Sequence, residues 1–168
     1  FVLGYEEYIK DIYKLQIEGY YKDIENLFTY EEFRATTDEA FPDTFRLSDI
    51  VTPSDGYAYG LEIFTQKMSG RLSGWLAYTF SVSRKKMNSI FYDKEEEYYN
   101  GWDRTHSFSA LGNYRINSDW DMNWKLSIQS GQAYTPILGY YNQHFPESPD
   151  ESFRTIPGTR NSARYAPY

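Results

Sequence analysis

The chain has 168 residues, of which 20% are aromatic, with a mean hydropathy of −0.71, no cysteine and a formal net charge of −7. The length bounds a single domain, the missing thiols exclude a disulfide framework or a thiolate metal site, and the acidity argues against nucleic acid as a general partner. No stretch nears the roughly 20 apolar residues of a membrane helix, although membrane strands of roughly 9–11 residues dilute their apolar signal with polar side chains.

Phe1 to Ile9 and Ile12 to Tyr21 are predicted to form a hairpin about a tight turn at Lys10-Asp11. On its second strand Tyr13, Leu15, Ile17, Gly19 and Tyr21 share one face, and Lys14, Gln16, Glu18 and Tyr20 the other. Lys22 to Gly56 then reads as a long connection broken by Pro42, Pro53 and the turn signal Ser54-Asp55-Gly56. From Asp23 onward its nine carboxylates face only Arg34 and Arg46, so it sets the sign of the whole chain. Phe28, Tyr30, Phe33, Phe41 and Phe45 are its candidate ligand-contact residues, weighed against the commoner role of packing such a loop down.

A second hairpin is expected to join Tyr57–Lys67 to Arg71–Ser83 through Met68-Ser69-Gly70. Tyr57, Tyr59, Leu61 and Ile63 oppose Ala58, Gly60, Glu62 and Phe64; Leu72, Leu76, Tyr78, Phe80 and Val82 alternate with Ser73, Trp75, Ala77, Thr79, Ser81 and Ser83. Arg84 to Trp102 reads as a charged loop in which Arg84-Lys85-Lys86 compensates Glu95-Glu96-Glu97; the sharper alternative is a cation or lipopolysaccharide contact. A third hairpin joins Asp103–Ile116 to Trp120–Ser130 through Asn117-Ser118-Asp119. Its last strand alternates most cleanly: Trp120, Met122, Trp124, Leu126 and Ile128 on one face, Asp121, Asn123, Lys125, Ser127 and Gln129 on the other. Gly131 to Tyr168, with five prolines, reads mostly as a long loop. The strand-like opening Phe1-Val2-Leu3-Gly4 and Pro167 near the end lead to the expectation that residues 1–168 are part of one larger barrel domain.

Short turns and long connections thus alternate strictly. A soluble sandwich turns apolar faces inward onto a core; a membrane barrel turns them outward to lipid and joins its strands by short turns at one rim and long loops at the other. The connection lengths favour the barrel. The expected fold is all-β, a partial antiparallel up-and-down transmembrane β-barrel of about six strands with long extracellular loops. Glu18, Glu62, Asn123, Lys125 and Gln129 are the lumen-facing candidates. Of the two histidines, His106 is expected to hydrogen-bond at the rim and His144 to be solvated in a loop. No nucleophile–His–acid set, HExxH, P-loop or GxGxxG is present in the sequence, so no enzyme activity, catalytic residue, metal or cofactor is expected.

Several segments resemble TonB-dependent outer-membrane receptors. Glu18-Gly19-Tyr20-Tyr21-Lys22-Asp23 with Asn26-Leu27 resembles their E-x-Y-Y-K-x-x-x-N-L strand end, and Gly56-Tyr57-Ala58-Tyr59-Gly60-Leu61-Glu62 is similar to their G-x-A-x-G-x-E strand. Leu72 to Ser81 resembles the return strand, and Trp102-Asp103-Arg104-Thr105-His106 the D-R-x-H entry to the next one. Ser130-Gly131-Gln132-Ala133-Tyr134-Thr135-Pro136 is similar to S-G-x-P-Y-T-P, with Ala133 where proline is common, and Arg160 to Tyr168 resembles a segment preceding a later strand. The resemblance implies a 22-stranded Gram-negative outer-membrane barrel closed by a plug domain. It also implies import of a scarce nutrient ligand (a siderophore, vitamin, glycan or peptide) energised by the TonB complex. Plug and TonB-contacting segment have no counterpart here; the partners implied are outer-membrane lipid and lipopolysaccharide, the plug, TonB through the missing part, and the ligand. Two rivals stand beside it: a soluble β-sandwich binding carbohydrate through exposed aromatics, and a small self-contained barrel anchoring the membrane.

Overall fold

Period-2 alternation rich in aromatic and β-branched residues commits a chain to half-covered strands. The computed structural model describes residues 1–30, 51–89, 94–143 and 152–168, and these are all-β, with no helix among them. The strands are β1 (Val2–Ile9), β2 (Tyr13–Tyr30), β3 (Val51–Lys67), β4 (Leu72–Ser89), β5 (Lys94–Tyr99), β6 (His106–Arg115), β7 (Asp121–Gln129), β8 (Ala133–Tyr134), β9 (Ile137–Gln143), β10 (Ser152–Pro157) and β11 (Ala163–Arg164). A seven-stranded antiparallel sheet runs β1-β2-β3-β4-β6-β7, with β5 added beside the far end of β4. β9 pairs β10, and β8 pairs β11. The large sheet is open, with β1 and β7 at its edges, so the described residues do not close a barrel.

All three short turns lie at one end. The Met68 N–H donates to the Ile12 carbonyl at 2.8 Å, which puts the second turn beside the first, and the Arg115 N–H donates to the Arg71 carbonyl at 2.8 Å, which puts the third beside the second. The first turn places Lys10 and Asp11 both in the left-handed region, at φ 53° and 52°, closed by the Ile12 N–H on the Ile9 carbonyl at 3.2 Å. That geometry matches the right-handed strand twist, and it strains two residues that carry a Cβ. In the third turn the Asn117 carboxamide accepts from the N–H groups of Asp119 and Trp120, each at 2.9 Å.

Three expected connections are corrected. Of Lys22–Gly56, residues 22–30 extend β2 and 51–56 extend β3, leaving only 31–50 outside the described residues. The pairing crosses a bulge between Ile24 and Leu27, where Asn26 takes φ 59° and its N–H donates to Asp55 Oδ1 at 3.2 Å. Arg84–Trp102 is not a loop either: its first residues continue β4 and pair back with β5. The tail, expected to be mostly loop, forms β8 to β11. These strands have lower β-propensity than the central ones, and long-range pairing holds them instead.

Candidate functional site

The register resolves the large sheet into two faces, because directly paired residues share a face. One row reads Tyr5, Ile17, Ile63, Tyr78, Phe108, Ile128 across six strands, and the next Glu7, Leu15, Thr65, Leu76, Ala110, Leu126, apolar from β4 to β7 and carrying a carboxylate only at the β1 edge. Nothing among the described residues covers this face: Ile17, Leu61, Leu76, Leu126 and Ile128 retain between 36% and 50% of their full exposure. The buried apolar residues are only Val82, Met87, Tyr98, Ala110 and Ala133 among those described. A contiguous apolar surface of this kind marks an interface, with protein or with lipid.

The opposite face is polar. Gly4, Glu18, Glu62, Thr79, Ser107 and Gln129 form one row, so the sheet brings three of the five lumen-facing candidates, Glu18, Glu62 and Gln129, into register, with Glu18 directly opposite Glu62. The two carboxylates border a recess of about 230 Å³ with Gln16, Phe64 and Thr79. Like charges directly opposed on a sheet destabilise it unless a cation intervenes. Asn123 accepts from Asn113 Nδ2 at 2.7 Å, Gln129 accepts from Arg104, and Lys125 stands exposed opposite Leu111. All five lumen-facing candidates therefore share the polar face, although Asn123 and Lys125 lie nearer the turn end. The same face seats Tyr20 across Gly60, where an added Cβ would meet the Tyr20 ring at 2.7 Å, and the Tyr20 hydroxyl reaches Ser81 Oγ at 2.9 Å.

Away from the turns, β2 to β5 rise beyond the rows shared with β6 and β7. There the charge compensation expected from sequence is carried by strands. Arg84 pairs with Glu97 at 3.0 Å and Lys86 lies 4.0 Å from the same carboxylate. The Tyr57 hydroxyl donates to Glu97 at 2.6 Å; this bond first, and Arg84 second, hold the Glu97 carboxyl below its ordinary range, while the same bond and burial push the Tyr57 hydroxyl up against the opposing pull of Arg84. Phe28 sits in β2, 73% exposed, and Tyr30 ends that strand; neither belongs to a free loop. Phe33, Phe41, Phe45 and His144 lie outside the described residues. His106 begins β6, its Nδ1 2.9 Å from the Tyr78 hydroxyl and its ring against Phe80.

Residue-by-residue reading missed one centre. Asp103, only 3% exposed, accepts from the Ser83 N–H at 2.6 Å and pairs with Arg164 at 2.6 Å. Arg164 also donates to the Asp103 and Gly131 carbonyls, each at 3.2 Å, and lies over the Tyr99 ring. Asn161 donates to the Tyr99 carbonyl at 2.6 Å, and Arg160 lies over Tyr98 and 3.9 Å from Glu96. The tail is thereby tied to β4 and β5. Ser130–Pro136 and Arg160–Pro167, two of the segments singled out by resemblance, face each other as β8 and β11, with Tyr134 stacked on Tyr165 at 4.3 Å. A signal existed in the paired glycine-flanked aromatic segments, but nothing local to the sequence joins them.

No group of metal-ligating side chains occurs among the described residues, and no helix there is long and apolar enough to cross a membrane. No protein-family model, curated protein or solved structure matches the chain.

Proposed function

We propose that this chain is part of the barrel wall of a TonB-dependent outer-membrane receptor that imports a scarce nutrient ligand. The observation that carries the reading is the sheet itself: one uncovered apolar face, one polar face, all short turns at one end and strand extensions at the other. In this reading the apolar face meets lipid and the turns face the periplasm. The extensions of β2 to β5 stand outside the cell, beside the acidic aromatic segment that helps capture ligand. Glu18 and Glu62 point into the lumen, where the plug supplies the cationic group that the opposed carboxylates lack.

The test exploits the absence of cysteine from this chain. Single cysteines at Ile63 and Glu62, introduced into the full-length receptor in outer membranes, should divide cleanly. The lipid-facing site should react only with an apolar maleimide, and the lumen site only with a water-soluble one. Equal reaction of both sites with the soluble reagent, in protein extracted without detergent, would instead support the soluble sandwich. Uptake that collapses with the proton-motive force tests the energised step.

A further inference from the structure

The apolar face is smooth except at its turn end, where Gly74 of β4 pairs directly with Gly112 of β6. The two glycines leave a floor without side chains across two strands, part of a groove of about 340 Å³. Gly74 takes φ 152°, a conformation L side chains rarely adopt, and a Cβ on Gly112 would collide with the Trp124 ring that forms one wall. Lys67 and Tyr13 close the opposite side, with the Lys67 ammonium 5.9 Å from the Tyr13 ring centre; Leu72 and Leu76 lie at either end.

The groove is apolar along its length and cationic at its mouth. Arg71, in the adjoining turn, spends one donor on the Ile116 carbonyl at 2.9 Å and lies over Tyr114; among the described residues its guanidinium has no other hydrogen-bond acceptor. Asp121, at the start of β7, is 3.6 Å from Arg115. Neither Lys67 nor Arg71 is ion-paired with a carboxylate among the described residues. An occupant complementary to this arrangement has a flexible hydrocarbon chain and an anionic head held at the level of the aromatic side chains. Guanidinium and ammonium groups suit a phosphate there, and lysine reaches such a head while its stem stays in hydrocarbon.

We propose that this groove seats one acyl chain of a glycerophospholipid of the periplasmic leaflet, its phosphate held by Lys67 and Arg71. The proposal rests on the barrel reading. It is tested on the full-length receptor in vesicles of phosphatidylethanolamine and phosphatidylglycerol, a fraction of the latter carrying a diazirine in its acyl chain. Illumination and peptide mapping should enrich label on Leu72–Leu76 and Trp124 over Ile128, which is equally apolar and 50% exposed. Lys67→Gln and Arg71→Gln should each lower groove labelling about fivefold while leaving Ile128 unchanged; Lys67→Gln leaves the turn hydrogen bond of Arg71 intact and serves as the cleaner variant. Equal labelling of groove and Ile128, or labelling indifferent to both substitutions, overturns the lipid site while the barrel stands. Absence of label from Ile17, Ile63 and Ile128 as well as from the groove overturns the barrel reading beneath it.

Discussion

A single arginine placed at two adjacent positions tests the face assignment. The rows shared by β4 and β6 run from Leu72 to Phe80, with Leu76 and Ala110 in the middle row and Leu126 of β7 beside them. At a rise of about 3.4 Å per residue that stretch spans about 27 Å along the strand. A tilt of about 40° reduces this to about 21 Å, close to the height of a membrane barrel's apolar band. Leu126 then sits near the bilayer midplane, and Leu126→Arg should cost about 2–4 kcal/mol. Ser127 is one residue on, at nearly the same depth but on the opposite face, where its hydroxyl lies 3.5 Å from that of Ser109. Ser127→Arg places the charge in the lumen and should cost under about 1 kcal/mol, mainly through the lost hydroxyl contact. Met122→Arg, on the apolar face but two rows nearer the turns, should cost no more than about 1 kcal/mol, because the penalty fades toward the interface. The assay is reversible unfolding of the full-length receptor in phosphocholine bilayers by guanidinium titration. Similar losses for Leu126→Arg and Ser127→Arg would refute the division into faces. A loss at Met122 as large as at Leu126 would refute the lipid assignment, since a protein core has no comparable depth profile.

The Glu97 carboxyl, held low by Tyr57 and then Arg84, contributes stability to the β4–β5 pairing that is present above its unfolded value of 4.5 and lost as pH falls through the lower folded value. Protection of the amides over residues 94–99, taken relative to the intrinsic exchange rate at each pH, should therefore fall on acidification below that value, and Glu97→Gln should flatten the dependence. Replacing Lys10-Asp11 by Asn-Gly relieves two left-handed residues and should raise stability by about 1 kcal/mol in the same titration, with unchanged spectra. Gly60→Val would drive a side chain into Tyr20 and the Phe80 carbonyl and should cost about 1–3 kcal/mol, against about 1 kcal/mol for Tyr20→Phe, which removes only the bond to Ser81. Asp103→Ala strands a partly exposed Arg164 and should cost about 3 kcal/mol, with protease cleavage appearing in 158–168 before the sheet melts.

The six-stranded meander was legible because each of its strands alternates over nine or more residues or is bounded by a turn with its own chemistry. Leu72–Val82 and Trp120–Ile128 write both faces in full, and Asn117-Ser118-Asp119 supplies the carboxamide its turn uses. The extensions were hidden for a physical reason. In the barrel reading these strands stand outside hydrocarbon and need no apolar face, and Lys22–Tyr30 and Lys94–Tyr99 carry the charges and low hydropathy of loops. Their order comes from partners: Arg84 and Lys86 across from Glu97, and Thr29 Oγ1 against Ser54 Oγ at 2.8 Å. Pro53 sits within β3 although proline usually demotes a strand, beside residues that a bulge has already shifted in register. Of the candidate site, the polar positions were readable from parity alone. Their mutual distances were not, because parity gives the face and only pairing gives the neighbour; that Glu18 meets Glu62 depends on the β2–β3 register, which neither strand writes by itself.

The polar centre at Asp103 explains how a tail of two-residue strands keeps one conformation. Neither β8 nor β11 could nucleate alone, since each offers only two residues to the ladder. Asp103 is fixed first by the β4 backbone through Ser83, and its buried carboxylate then requires a cation. Arg164 fills that requirement and uses its second nitrogen on two carbonyls, that of Asp103 before β6 and that of Gly131 just ahead of β8. Arginine rather than lysine suits this geometry, because the planar fork binds carboxylate and carbonyls at once. The chain then returns to the sheet: Gln129 and Tyr168 exchange both backbone hydrogen bonds, at 2.8 and 3.1 Å, along the outer edge of β7. Among the described residues, the excursion from 130 to 167 is thus held near both feet. Its final residue begins to cover a strand edge that would otherwise expose a row of unpaired N–H and C=O groups.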